Sequence, residues 1–173
     1  MTDDRSVLEA PVPPAITRRL EQVLKPIDAA GLTVACAESC TGGLVAAAIS
    51  DVEGLGHVLD GALVTYSNEA KKRLLGIPAD LIEDPGPVSE VVAIRMAEGA
   101  LTRSAADIAL SVTGFAGPAG PDDEEGLVHF AMARTDRDTV HREGHFGEIG
   151  RSRVRLACLE VMIDLLEEAG ADA

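Results

Sequence analysis

The chain has 173 residues, 46% of them hydrophobic, enough for one domain with a proper core. Its 29 Asp and Glu against 15 Lys and Arg give a formal charge of −14, which repels phosphates and excludes non-specific nucleic-acid binding. With 2% aromatic residues there are also few rings on which bases could stack, and no apolar run reaches the length of a membrane span.

Residues 1–14 are polar, acidic and proline-bearing. They read as a flexible arm without the basic start of a signal peptide, ahead of a single domain over 15–170. A helix is predicted over 16–29, broken or kinked near Pro26, then a strand at 32–37 and a helix over about 41–50. Asp51-Val52-Glu53-Gly54 is a turn, and a second strand lies within 57–65. Ser67 is predicted to cap a short helix that stops at Gly76, before Pro78.

Asp84-Pro85-Gly86-Pro87 is another turn. Ser89 opens a helix to about residue 104, with Val91, Val92, Ile94, Met96 and Leu101 on its buried side. The continuous apolar stretch 107–113 is a strand buried on both faces, and 114–126 is a Gly/Pro loop with an acidic tip. Strands at 127–133 and 139–145 and a helix over about 150–169 complete the chain. Strands separated by helices, with a late hairpin, predict an α/β fold: a three-layer α/β/α single domain with a mixed, largely parallel sheet.

Chemistry concentrates where the first strand meets its helix. At Ser39-Cys40-Thr41-Gly42-Gly43, hydroxyl, thiol and glycine residues share one turn at a helix start, whose unpaired N–H groups are expected to face an anion or an oxyanion. A plain helix cap by Ser39 or Thr41 fits the same residues. Ser39 and Cys40 are both candidate nucleophiles, because a helix N-terminus favours a thiolate.

Tyr66, the only tyrosine, stands where a strand hands over to a helix that carries Lys71, Lys72 and Arg73. Like charges and burial lower a lysine pKa, as a general base at neutral pH requires; a solvated basic face is the competing reading. Thr113 and Gly114 end a buried strand at the edge where open α/β sheets bind ligands. Arg151, Arg153 and Arg155 crowd one helix start, where an anionic partner would relieve them. Cys36, Cys40 and Cys158 are odd in number without CxxC spacing, and His57, His129, His141 and His145 show no metal spacing. Neither a disulfide framework nor a metal is expected, and a reducing cytoplasm is the expected location.

Four ordered motifs resemble the CinA C-terminal domain family, whose stand-alone members are nicotinamide-nucleotide amidases (PncC). They are Ala37-Glu38-Ser39-Cys40-Thr41-Gly42-Gly43, Val64-Thr65-Tyr66-Ser67-Asn68-Glu69-Ala70-Lys71, Val88-Ser89-Glu90 and Ser111-Val112-Thr113-Gly114-Phe115-Ala116-Gly117-Pro118. The resemblance spans about 32–166. The family's other domain, which resembles molybdopterin-binding folds, is expected to have no counterpart in this sequence.

The resemblance implies hydrolysis of the carboxamide of nicotinamide mononucleotide to nicotinate mononucleotide and ammonia, through a serine acyl-enzyme, without metal or cofactor. It also implies a homo-oligomer, a dimer or larger. It assigns the nucleophile to Ser39 and catalytic roles to Lys71 and Tyr66, with the serine proton passing to neutral Lys71 directly or through Tyr66. Backbone groups near Cys40, Thr41, Gly42 and Gly43 would then hold the oxyanion. Thr113, Gly114 and one of Arg151 or Arg155 would hold the phosphate.

Two segments depart from the family pattern. Asp123-Glu124-Glu125-Gly126 replaces a common Lys-Pro-x-Gly, exchanging a positive charge for negative ones. Gly147-Glu148-Ile149-Gly150-Arg151 stands for Gly-Asp-Arg, which shifts the arginine by a residue. The altered charge after the glycine loop supports the alternative function, a nucleotide-binding regulatory module of the competence/damage-inducible type with weak or no turnover.

Overall fold

The structure, a computed structural model, describes residues 12–171. Most of the expected arm over 1–14 lies outside the described residues; Val12 is buried and Pro14 already opens the first helix. That helix, α1 (Pro14–Ala29), starts on a proline whose fixed φ suits a first turn. It runs through Pro26 and buries Ile16, Leu20, Val23, Leu24 and Ile27 along one face.

The chain continues as β1 (Val34–Glu38), α2 (Leu44–Ser50), a 3-10 turn (Gly56–Val58) and β2 (Leu59–Val64). Three helices follow, α3 (Asn68–Leu75), α4 (Ala79–Glu83) and α5 (Glu90–Thr102). The last part is β3 (Ile108–Gly114), β4 (Leu127–Arg134), β5 (Arg137–His145) and α6 (Arg151–Ala171). At five residues α4 is too short to show a helical period, and the sequence reading has no helix there.

The five strands form one sheet in the order β2-β1-β3-β4-β5. β1 runs parallel to β2 and to β3, whereas β3–β4 and β4–β5 are antiparallel. The expectation of a largely parallel sheet is therefore corrected: the sheet is evenly mixed. A parallel neighbour needs a crossover, which α2 supplies between β1 and β2 and α3 to α5 supply between β2 and β3. No helix separates β3, β4 and β5, so each strand folds back on the last.

Strand alternation builds two unlike cores. Val34, Cys36, Ile108, Leu110, Val112, Val128, Phe130 and Met132 join the large cluster that also contains the buried faces of α1, α2 and α6. The opposite face presents Ala35, Ala37, Ala109, Ala131 and Ala133 toward α5. The helix answers in kind. Val92 and Met96 are buried as expected, but Ala93, Ala97, Gly99 and Ala100 complete the contact, while Val91, Ile94 and Leu101 are only half-buried. Small residues let the layers close up, so that Ser111 Oγ donates to the Ala93 carbonyl at 2.6 Å. At Gly99 a Cβ would stand 2.4 Å from the Leu75 carbonyl oxygen, which fixes how closely α3 lies on α5.

Leaving β1, the chain crosses to β2 on one side, then returns past β1 to β3 on the other. The carboxyl ends of β1 and β3 thus flank the point where the winding reverses, the place where open α/β sheets hold their ligands.

Candidate active site

The turn after β1 is organised by Glu38, whose carboxylate is fully buried. Its Oε2 accepts from Thr41 Oγ1 at 2.6 Å, the Gly43 N–H at 2.9 Å and the Val45 N–H at 3.2 Å, and its Oε1 accepts from the Ala46 N–H at 2.8 Å. Gly42 and Gly43 take φ of 61° and 93°, a left-handed pair open to glycine at little cost, and this brings the chain round to the carboxylate. The helix start expected to face a ligand is therefore filled from within. Sequence reading gave Glu38 no role, although an acid placed directly before Ser-Cys-Thr-Gly-Gly was a usable signal.

The same turn presents Ser39, which is nearly buried. Lys71 reaches it from α3. Ser67 caps this helix as predicted, its Oγ accepting from the Ala70 N–H at 3.1 Å, and Gly76 ends it in the left-handed region. With the helix so fixed, Lys71 is 2% exposed, and its Nζ donates to Ser39 Oγ at 2.8 Å and to the Thr65 carbonyl at 3.2 Å. Burial pushes the Lys71 pKa down, opposed by the nearby Cys40 thiol when that is ionised. A buried amine with a lowered pKa in contact with a hydroxyl is the pairing that deprotonates a serine.

Cys40 has a different partner. The neighbouring Cys158 thiol lowers the Cys40 pKa, while Cys158 itself is pushed well above the usual thiol range by Cys40 and by burial. All three cysteines are buried and free.

Ser39, Cys40, Tyr66, Lys71, Thr113, Gly114 and Arg151 line one cavity of about 190 Å³, joined by Asn68, Pro87 and Val88, which the sequence reading did not assign. Tyr66 is 65% exposed and its hydroxyl has no hydrogen-bond partner among the described residues, so it stands at the rim. Thr113 is fully buried and its Oγ1 donates to the Pro87 carbonyl at 2.8 Å. Gly42 and Gly43 lie outside the cavity, the Gly42 N–H donating to the Ser39 carbonyl at 3.1 Å.

The two candidate arginines separate. Arg151 lines the cavity, whereas Arg155 donates through Nε and Nη2 to the Thr41 carbonyl at 3.0 and 2.6 Å and braces the turn. None of the residues Asp122 to Glu125 lines the cavity. Glu124 is instead paired with His145 at 2.7 Å, and this contact, with Glu143, raises the His145 pKa. His129 and His141 are hydrogen-bonded to each other at 3.1 Å. Among the described residues no group of three or more His, Cys, Asp or Glu is arranged to hold a metal ion, and no helix is long and apolar enough to cross a membrane.

Fold and site define a class: a three-layer α/β/α domain holding a buried serine–lysine pair beneath a small cavity at the carboxyl edge of its sheet. The chain belongs to the CinA family, with the CinA C-terminal domain matching residues 17–169. A CinA-like protein of Mycobacterium sp. (strain MCS) is 46% identical over 146 residues, covering 83% of this chain and 34% of the relative. A CinA-like protein of Geobacter sulfurreducens is 52% identical over 138 residues, covering 79% and 33%. The chain thus spans about a third of the length of these relatives. The crystal structure of the competence/damage inducible protein CihA from Agrobacterium tumefaciens has a TM-score of 0.86 at 39% identity, covering 90% of this chain and 95% of that one.

Proposed function

We propose that this protein is a serine amidase that hydrolyses the carboxamide of nicotinamide mononucleotide. The observation that carries the amidase is the 2.8 Å contact between Lys71 Nζ and Ser39 Oγ, both shielded from water. The nucleotide is inferred from the family resemblance. In this scheme Ser39 Oγ attacks the amide carbon as its proton passes directly to neutral Lys71. The tetrahedral oxyanion is held by backbone N–H groups of the turn. Lys71 returns the proton to the leaving nitrogen, ammonia departs, and water opens the ester as Lys71 takes its proton and passes it to the departing Ser39 Oγ. Tyr66, at the rim, is not needed as a relay.

A cavity of about 190 Å³ is smaller than a typical site for a whole drug-sized ligand, which fits entry of the carboxamide end first. Arg151 is then the cation available to the phosphate. Purified protein incubated with the mononucleotide is expected to release ammonia and nicotinate mononucleotide one for one; folded protein that releases none ends the proposal. Arg151→Ala is expected to raise KM by roughly 10- to 100-fold with little change in kcat, the worth of a charged hydrogen bond of about 1.5–3 kcal/mol. It should also erase any preference for the mononucleotide over nicotinamide riboside.

A second reading is a nucleotide-binding regulatory module of the competence/damage-inducible type. It is supported by the descriptions of relatives such as the putative competence-damage inducible protein of Symbiobacterium thermophilum, 53% identical over 109 residues covering 62% of this chain and 26% of that protein. Geometry favours the first reading and the relatives' descriptions the second. Thermal stabilisation by the mononucleotide without ammonia release would decide for the module.

A further inference from the structure

We infer that Glu38 is a positioning residue: a buried carboxylate that closes the turn before α2 and leaves the N–H of Cys40, at the cavity wall, for the reacting carbonyl. The second half of this inference rests on the amidase reading. A helix start carries several N–H groups without intrahelical partners, and together they attract anions.

Every N–H of the turn can be followed. Those of Gly43, Val45 and Ala46 go to the Glu38 carboxylate. The Ser39 N–H donates to the Val112 carbonyl at 3.0 Å, the Gly42 N–H to the Ser39 carbonyl at 3.1 Å, and the Leu44 N–H to the Thr41 carbonyl at 3.3 Å. Only the N–H groups of Cys40 and Thr41 donate to no other described residue, and of the two residues only Cys40 lines the cavity. These two directly follow the nucleophile in sequence.

The carboxylate is held by charge-assisted bonds that a neutral side chain cannot reproduce. It takes four donors on two oxygens, one of them the Thr41 hydroxyl, and it is fully buried. An amide in its place would set its own NH2 against at least one of those donors. An aspartate would fall short by one methylene. Because Glu38 is the backbone neighbour of Ser39, displacement of its side chain re-aims the hydroxyl relative to Lys71.

The test compares the full chain with Glu38→Gln and Thr41→Val by steady-state kinetics on nicotinamide mononucleotide and by backbone amide hydrogen exchange. In Glu38→Gln, exchange at Gly43, Val45 and Ala46 is expected to accelerate at least about 10-fold in a protein that stays folded. Its kcat is expected to fall roughly 100-fold with KM within about 3-fold, the pattern of an interaction realised in the transition state. Thr41→Val, which removes one donor and keeps the carboxylate, should lower kcat by about 5- to 10-fold, and it decides the matter if Glu38→Gln does not fold.

Unchanged exchange at those three amides overturns the internal anion. Accelerated exchange with kcat at the wild-type level overturns the positioning role, as does a fully active Thr41→Val. Should wild-type protein release no ammonia, the amidase reading fails and the oxyanion half of this inference fails with it, while the exchange measurement still judges the hold of Glu38 on the turn.

Discussion

Lys71→Met is expected to lower kcat/KM by about 10²- to 10⁴-fold, the contribution of a positioned general base, with the fold unchanged by circular dichroism. Lys71→Arg separates base from charge: an arginine keeps the cation and the donors but does not give up its proton near neutrality, and it should be equally inactive. An arginine variant with a tenth or more of wild-type activity would show that the site needs a cation rather than a base.

The pH profile follows from the direction of the shift. Burial lowers the Lys71 pKa, so the neutral amine is populated at lower pH than for an exposed lysine, whose pKa is about 10.4. Activity is therefore expected to rise with pH as Lys71 loses its proton and to be lost as pH falls through its folded-state pKa. Because an ionised Cys40 favours the charged lysine, Cys40→Ala should move this limb further toward acid. A limb unmoved in that variant would show that the thiol carries no charge at the working pH.

The elements that could be read from the sequence were those with local causes. Ser67 and Gly76 bracket α3 because a hydroxyl caps and a glycine turns left-handed, and both act within a few residues. β3 was legible as an apolar run buried on both faces. The direction of the later strands depends on which strands become neighbours, and that is settled by connections rather than composition.

The site shows the same division. Ser39 and Lys71 stand 32 residues apart and were joined only through the family resemblance; their contact exists because β2, which hands over to α3, pairs with β1 as far as Glu38 and Val64. Arg151 and Arg155 looked alike, four residues apart on one helix face. They differ because Arg155, half-buried, reaches the Thr41 carbonyl, and Arg151 is left at the cavity. The helix start expected to be unpaired is largely closed by Glu38, because counting free N–H groups takes no account of a buried carboxylate folding back over them.

Ser39→Ala should reduce turnover by about 10³-fold or more while the protein keeps its melting temperature and still binds the mononucleotide, whereas Cys40→Ala should stay within about 10-fold of wild type. The two candidates share a turn and a cavity wall, so position alone does not rank them. Their partners do. Ser39 Oγ touches an amine that can take its proton, and the serine is otherwise inert without that contact. The Cys40 sulfur is instead stabilised as an anion by the Cys158 thiol, and a hydrogen bond that lowers a thiol pKa also lowers the nucleophilicity of the thiolate. Peptide mapping after quenching a turnover reaction should place the acyl group of nicotinate mononucleotide on the peptide's Ser39 in Cys40→Ala protein. Acylation that survives in Ser39→Ala and vanishes in Cys40→Ala would transfer the nucleophile to the thiol and leave Lys71 as the ion that pairs with it.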